Sequence, residues 1–238
     1  FIDSFSNWET PTTQLLCKHD GKSIVTLNDP HIPAVVEHKL ASIEFMEFPT
    51  SDGLKLPVYI IKPVDFDPTK KYAVLIYAYA GPGSQSVANR WNGIRGFWYT
   101  YLTKQGYLIC AIDGRGTSFK GREWKHMLYK KLGQIEIEDQ IEGAKHLQTL
   151  PFVDKDRIGI WGWSYGGYTS IMALLKGADI FKMGIAVAPV TDWRNYDTIY
   201  TERFMGRPQE NEEAYNNGAA TTFAKNLQGD LLLIHGCA

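Results

Sequence analysis

Arg157-Ile158-Gly159-Ile160-Trp161-Gly162-Trp163-Ser164-Tyr165-Gly166-Gly167-Tyr168 is the stretch on which the fold of this chain turns. Its first part, Arg157 to Trp161, reads as a buried strand, and Tyr168 to Lys176 continues as a largely apolar helix. Between the two, Gly162-x-Ser164-x-Gly166 sets a serine where a strand bends sharply into a helix. Such a bend needs neighbours without bulk, so that the hydroxyl projects above the sheet while the flanking backbone folds back beneath it. Glycines beside a serine can also mark an ordinary turn. Here the strand before and the helix after are what a nucleophile elbow requires, so Ser164 is expected to be a hydrolytic nucleophile.

Working outward, Tyr72 to Ala80 forms a strong central strand stopped by Gly81-Pro82-Gly83-Ser84. A helix is expected over Gly96 to Lys104, then the Cys110 strand from Tyr107 to Ile112, ending at Asp113-Gly114-Arg115-Gly116. Helical material follows from Gly121 to Tyr129. A longer helix, Gln134 to Leu150, carries Ile137, Ile141, Ala144 and Leu147 on one stripe. Its acidic Glu136, Glu138, Asp139 and Glu142 lie near the start, where the helix dipole favours them. After the elbow come a strand from Met183 to Val190, mixed helix and loop from Asp192 to Gln228, and a last strand, Asp230 to His235. Ser42 to Phe48 and Leu56 to Ile61 add two strands around the Thr50-Ser51-Asp52-Gly53 turn. Strands alternating with helices imply an α/β domain, its mostly parallel sheet covered by helices on both faces. Function then gathers at the carboxyl ends of the strands, near Tyr79, Asp113, Ser164, Val190 and His235.

Residues 1–40 differ in texture. Thr12 to Cys17 and Ser23 to Leu27 read as strands joined by a His19-Asp20-Gly21-Lys22 turn. Two strands bury no face unaided, so this segment packs on the main domain or is the edge of another β domain.

With 238 residues and 44% apolar content, the chain can bury a substantial core. Its 25 basic and 26 acidic residues give a net charge of -1, which argues against a nucleic-acid surface or a polybasic membrane contact. The Lys120 to Lys131 region is interrupted by Glu123, Trp124, Met127 and Leu128 and reads as the wet face of a helix. No run approaches the roughly 20 apolar residues of a membrane span. Cys17, Cys110 and Cys237 form neither a metal spacing nor an even framework, and Cys110 is expected as a small buried hydrophobe. Neither Gly81-Pro82-Gly83 nor Gly114-Arg115-Gly116 fits a phosphate-binding fingerprint, so no cofactor is implied. The opening on Phe1 rather than Met suggests a piece of a longer polypeptide.

A serine hydroxyl needs a base, and the base needs an acid to orient it. On an α/β-hydrolase sheet the order is Ser, then Asp or Glu, then His. The acid normally follows the second strand after the elbow and the histidine one strand more, beyond Ala238. His235 is the only histidine after the elbow. It is either a recruited base or a buried, hydrogen-bonded structural histidine. Asp192 and Asp197 are either a displaced acid or helix starts. For the oxyanion, one donor is the Tyr165 amide; a second is the Tyr79 phenol, unless Tyr79 is simply one more aromatic of its strand. Val190, Trp193, Tyr196 and Tyr200 cluster past the next strand end; ordinary packing explains any one of them, and their position beside the elbow suits a pocket for a flat, nonpolar side chain.

At Tyr79-Ala80-Gly81-Pro82, Asp113-Gly114-Arg115-Gly116, Glu138-Asp139-Gln140, Gly162 to Tyr168, and Tyr200-Thr201-Glu202-Arg203-Phe204-Met205-Gly206, the chain resembles the dipeptidyl peptidase IV branch of the prolyl oligopeptidase family. The resemblance implies an α/β-hydrolase catalytic domain over 41–238, incomplete at its C-terminus, with 1–40 the closing blade and linker of a β-propeller. It implies a serine exopeptidase that releases Xaa-Pro or Xaa-Ala dipeptides from peptides with a free N-terminus. Ser164 then corresponds to the nucleophile, Tyr79 and the Tyr165 amide to the oxyanion donors, and Tyr165, Val190, Trp193, Tyr196 and Tyr200 to the proline pocket. His235-Gly236-Cys237-Ala238 stops one residue short of the family's catalytic Asp, and the His lies further on, so these residues alone are expected to be nearly inactive. Members often pair as homodimers. An oligopeptidase or esterase of the same fold, and a non-catalytic interaction protein on a hydrolase scaffold, are the alternatives.

Overall fold

Parallel strands covered on both faces must be apolar throughout, and the chain's apolar runs become such strands. A computed structural model describes residues 1–236. Cys237 and Ala238, and so the end of the His235 stretch, lie outside the described residues.

The first sheet holds β1 (Ile2–Phe5), β2 (Thr13–Cys17) and β3 (Ser23–Asn28), all antiparallel, in the order β1-β2-β3. The hairpin reading holds, with Gly21 at φ 86 in its turn. The β1 strand is an addition: Ile2-Asp3-Ser4-Phe5 is too short to declare itself and forms by pairing with Thr13 to Leu16. Every residue of β1 and β3 is exposed. Trp8 instead reaches the main body, donating its indole N–H to the Ala41 carbonyl at 2.8 Å.

After the short helix α1 (Pro33–Glu37), the main sheet comprises β4 (Ser42–Pro49), β5 (Lys55–Lys62), β6 (Tyr72–Tyr77), β7 (Tyr107–Ile112), β8 (Val153–Trp163), β9 (Phe181–Val187) and β10 (Asp230–Ile234). Their order is β10-β9-β8-β6-β7-β5-β4. From β10 to β7 the neighbours run parallel; β5 is antiparallel to both β7 and β4. The fold is thus α/β with a mixed, mostly parallel sheet flanked by helices, in an α/β-hydrolase arrangement.

Strand alternation sorts the core into two layers. Val74, Ile76, Leu108, Cys110, Ile158 and Ile160 belong to one, with α4 (Ile135–Gln148) and α5 (Tyr165–Lys176). Leu75, Ile109, Ala111, Tyr59 and Ile61 belong to the other, with Tyr99 of α2 (Ile94–Lys104) and Trp8. Cys110 is fully buried as expected, and burial pushes its thiol far above the usual range.

Several boundaries shift. The central strand stops at Tyr77 because Ala80 takes φ 61 and turns the chain. The strand after the elbow ends at Val187, so Val190 sits in the following loop. Of Gly121 to Tyr129 only α3 (Arg122–His126) is helical. Between Asp192 and Gln228 lie α6 (Thr198–Met205), α7 (Glu212–Asn217) and short 3-10 turns.

The structure places Glu136 and Glu138 in the first turn of α4 as expected, but the dipole reading does not account for Glu136 and Asp139. Glu136 and Asp139 are fully buried. A helix dipole does not compensate such burial; each carboxylate is instead held by specific donors. Asp139 accepts the Arg115 amide at 2.6 Å and its guanidinium at 2.5 Å. Burial still outweighs Arg115 and moves the Asp139 carboxyl above its ordinary value.

Candidate active site

Ser164 is the residue between β8 and α5, with φ 60 and ψ -118. A non-glycine residue in the left-handed region costs roughly 1–3 kcal/mol and persists only where its surroundings enforce it. They do so here through the backbone: the Ser164 N–H donates to the Val187 carbonyl at 2.9 Å, and the Ser164 carbonyl accepts the Tyr168 N–H at 3.0 Å. The glycines make the bend possible. A β-carbon on Gly162 or Gly166 would come within 2.2 Å of the Ala78 carbonyl oxygen, and one on Gly167 within 2.7 Å of the Val187 oxygen.

Tyr165 opens α5, where a first-turn N–H has no intrahelical acceptor and is free to face an anion. Tyr79 follows β6, the neighbour of β8, and its ring centroid lies 6.2 Å from that of Tyr165. Gly81 fits between the two: a β-carbon there would meet Tyr79 at 2.9 Å and Tyr165 at 3.0 Å. Asp113, at the end of β7, secures the rest of this loop by accepting the Ser86 and Val87 amides at 2.8–3.0 Å. Burial raises its carboxyl despite these donors.

Trp193 is buried, with its ring centroid 5.3 Å from Tyr165 and 6.0 Å from Tyr200 in a stack. Tyr196 meets Tyr200 edge-on at 5.5 Å. One cavity of about 50 Å³ is lined by Tyr79, Ser164, Tyr165, Val190, Trp193, Tyr196 and Tyr200. The structure therefore brings together all seven residues singled out from the sequence. Burial raises the Tyr200 phenol above its normal value, with the neighbouring Tyr79 and Tyr196 phenols adding to it.

Asp192 and Asp197 prove to be helix starts. Asp192 accepts the Arg194 amide at 2.9 Å and Asp197 the Tyr200 amide at 2.8 Å. His235 is exposed, which corrects the reading of a buried structural histidine. It lies at the tip of β10 and shares a second cavity with Ser164, Pro189 and Tyr196, but among the described residues no base is hydrogen-bonded to Ser164 Oγ.

Glu136 was not expected at the site. Its Oε1 accepts the Tyr165 hydroxyl at 2.7 Å and the Gly133 amide at 2.5 Å, while Oε2 is buried without a partner. Desolvation raises the Glu136 carboxyl, and it raises Tyr165 as well, so both hold their protons more tightly than in water. The sequence offered one signal, a glutamate next to the helix's apolar stripe.

Residues 95–238 match the prolyl oligopeptidase family. Among curated proteins, the chain is 45% identical to a probable dipeptidyl-aminopeptidase B of Arthroderma otae over 85% of its length, and 44% identical to human dipeptidyl peptidase 8 over 81%. It spans 22% of each of those relatives. A crystal structure of Porphyromonas gingivalis dipeptidyl peptidase 4 superposes with a TM-score of 0.92 at 44% identity, covering 99% of this chain and 33% of that one. Sequence and fold agree on one lineage: the chain belongs to the prolyl oligopeptidase family and is homologous to its dipeptidyl peptidase IV branch.

Proposed function

We propose that this chain carries the nucleophile and pocket of a serine exopeptidase that removes Xaa-Pro or Xaa-Ala dipeptides from free N-termini. The observation that carries the reading is the strained Ser164 opening into the same small aromatic cavity as Tyr79 and the first residue of α5. A cavity of about 50 Å³ suits a compact ring and excludes a long side chain. Where one water needs roughly 10–15 Å³, the space holds only a few.

In this reading a proline ring sits against Trp193 and Tyr200 with its carbonyl over Ser164. Oγ attacks as a base takes its proton, and the oxyanion is met by the Tyr165 N–H and the Tyr79 hydroxyl. The C–N bond then breaks, the protonated amine leaves, and water hydrolyses the acyl-enzyme. Since no base is bonded to Ser164 among the described residues, the proposal concerns the full-length protein. The exposed three-stranded sheet of residues 2–28, with Phe5, Ile24, Val25 and Leu27 turned to solvent, is assigned to a separate β domain, the end of a propeller, and residues 41–238 to the catalytic domain.

The test is a chromogenic panel on the full-length protein. Xaa-Pro amides are expected to be cleaved with a free amino terminus and refused when it is blocked. Cleavage of blocked substrates would point to an oligopeptidase or esterase. Failure of Ser164 to label with a fluorophosphonate would sink the enzymatic reading altogether.

A further inference from the structure

The loop that follows Tyr79 is tied along its length to one short segment, residues 113–118. Gly83 donates its N–H to the Gly116 carbonyl at 2.9 Å, the Ser118 N–H donates to the Ser84 carbonyl at 2.8 Å, and the Ser118 hydroxyl donates to the Gly83 carbonyl. The Ser86 and Val87 amides complete the set on Asp113. Gly81 lies so close to the Tyr79 ring that movement of this loop is passed on to it. What holds residues 113–118 is in turn Asp139 of α4. Its Oδ2 accepts the Arg115 N–H at 2.6 Å and its Oδ1 accepts the guanidinium Nε at 3.0 Å, while the other arm of Arg115 donates to Asp52, in the turn between β4 and β5, at 2.8 Å. A β-carbon on Gly114 would come within 2.7 Å of Asp139 Oδ2, so only glycine lets the segment lie directly on the carboxylate. The Asp139 side chain is fully buried and that of Arg115 nearly so. A forked pair of this kind, withdrawn from water, is directional and holds both partners in one geometry. Asp139 stands one helical turn after Glu136, whose carboxylate holds the Tyr165 hydroxyl.

We propose that Asp139 and Arg115 are positioning residues for the Tyr79 hydroxyl, so that a single turn of α4 sets the spacing between the two oxyanion donors, Tyr165 through Glu136 and Tyr79 through residues 113–118. The assignment rests on the peptidase reading above and deepens it by naming what holds the side-chain donor in place. Neither Asp139 nor Arg115 lines the Ser164 cavity, so both act through Tyr79. A donor set in advance needs no reorganisation when the negative charge develops, whereas a loose one must be ordered at that moment. Misplacement of a reacting group by about 1 Å can cost about 10²-fold in rate, which makes the tether consequential although it lies away from the chemistry.

A double-mutant cycle on the full-length protein tests the inference, with kcat and KM for an Xaa-Pro amide measured in the parent, Asp139→Asn, Tyr79→Phe and the double variant. Asp139→Asn removes the charge and turns an amide NH2 toward the donors of Arg115. It is expected to lower kcat roughly tenfold or more and to leave KM nearly unchanged. With Tyr79→Phe there is no hydroxyl left to misplace, so the same substitution should then change kcat by less than about twofold. Ser118→Ala supplies a second cycle that leaves the buried pair intact. It deletes one tie to Gly83 and is expected to lower kcat about threefold, again only where Tyr79 keeps its hydroxyl. No loss of kcat in either single variant, losses that multiply with that of Tyr79→Phe, or a rise in KM alone would each overturn the positioning role and leave the peptidase reading standing. Tyr79→Phe turning over as fast as the parent would remove the donor assignment together with its tether. A parent that cleaves no Xaa-Pro amide would take the peptidase reading down as well.

Discussion

The Tyr165 phenol donates to Glu136 Oε1 at 2.7 Å, and through that bond α4 fixes the far end of a residue whose amide opens α5. In the proposed function Tyr165 does two things: it walls the pocket and presents its N–H to the oxyanion. Both depend on where its ring and its peptide sit. Glu136 does not line the Ser164 cavity and bonds Tyr165 and Gly133, so in that reading it is a positioning residue.

Replacing it separates packing from charge. Glu136→Ala strips the acceptor from two buried donors, the Tyr165 hydroxyl and the Gly133 amide, and each orphaned group costs about 1–3 kcal/mol. Glu136→Gln keeps an acceptor in place. In the full-length protein, Glu136→Ala is expected to unfold at markedly lower urea and to lose kcat/KM on Xaa-Pro amides, while Glu136→Gln keeps most of both. Equal loss in the two variants would mean that the charge, not the acceptor, matters.

The same carboxyl makes stability depend on pH. Burial raises its folded-state pKa above the unfolded value, so across the interval between them the unfolded chain has released a proton that the folded chain retains. Any stability the group contributes is fully present below the ordinary carboxylate range. It is lost as pH rises toward the raised pKa and is flat beyond it. Asp113 and Asp139 are raised too, so the parent curve sums several such groups. Subtracting the urea-unfolding curve of Glu136→Gln from that of the parent isolates this one. The difference should decline with rising pH, and a difference that climbs would refute the assignment.

Much of this architecture was legible because doubly covered parallel strands cannot hide: Val74 to Ile76, Leu108 to Ala111 and Ile158 to Ile160 are apolar on both faces. The elbow was legible for a related reason, since Gly162, Gly166 and Gly167 answer to backbone atoms of adjacent strands. The pocket residues stood out once their nearness to the elbow was weighed, and the resemblance sharpened the role of Tyr79. What stayed hidden depends on partners far along the chain. Glu136 and Asp139 look like solvated helix-start acids until Tyr165, 29 residues away, and Arg115, 24 residues away, are folded against them.

The elbow's tolerance for bulk can be measured directly. In Gly166→Ala the new methyl meets the Ala78 carbonyl oxygen, a backbone atom of the neighbouring strand connection that cannot rotate aside. Overpacking of this kind typically costs about 1–3 kcal/mol, and in a domain of this size each kcal/mol lowers the midpoint by roughly 2–4 °C. Thermal unfolding should show that drop, and fluorophosphonate labelling of Ser164 should slow with it. A variant that melts like its parent would show that the bend has slack which the contact geometry denies.

Tyr79 allows the sharpest test of chemistry as distinct from architecture. Its ring packs against Gly81 and faces Tyr165, and both contacts survive in Tyr79→Phe, which deletes only the hydroxyl. An oxyanion donor works on charge that exists in the transition state and not in the bound substrate, so its loss lowers kcat and leaves KM nearly unchanged. Removing one such donor costs about 10²–10³ in kcat elsewhere, and a loss of that order on Xaa-Pro amides is expected here. Unfolding by urea should be close to that of the parent, because among the described residues the Tyr79 hydroxyl makes no hydrogen bond, its contact to Thr169 running through the backbone carbonyl at 3.0 Å. If KM rises while kcat holds, Tyr79 serves as pocket wall alone, and the second oxyanion donor must be sought among the backbone amides of the loop it begins.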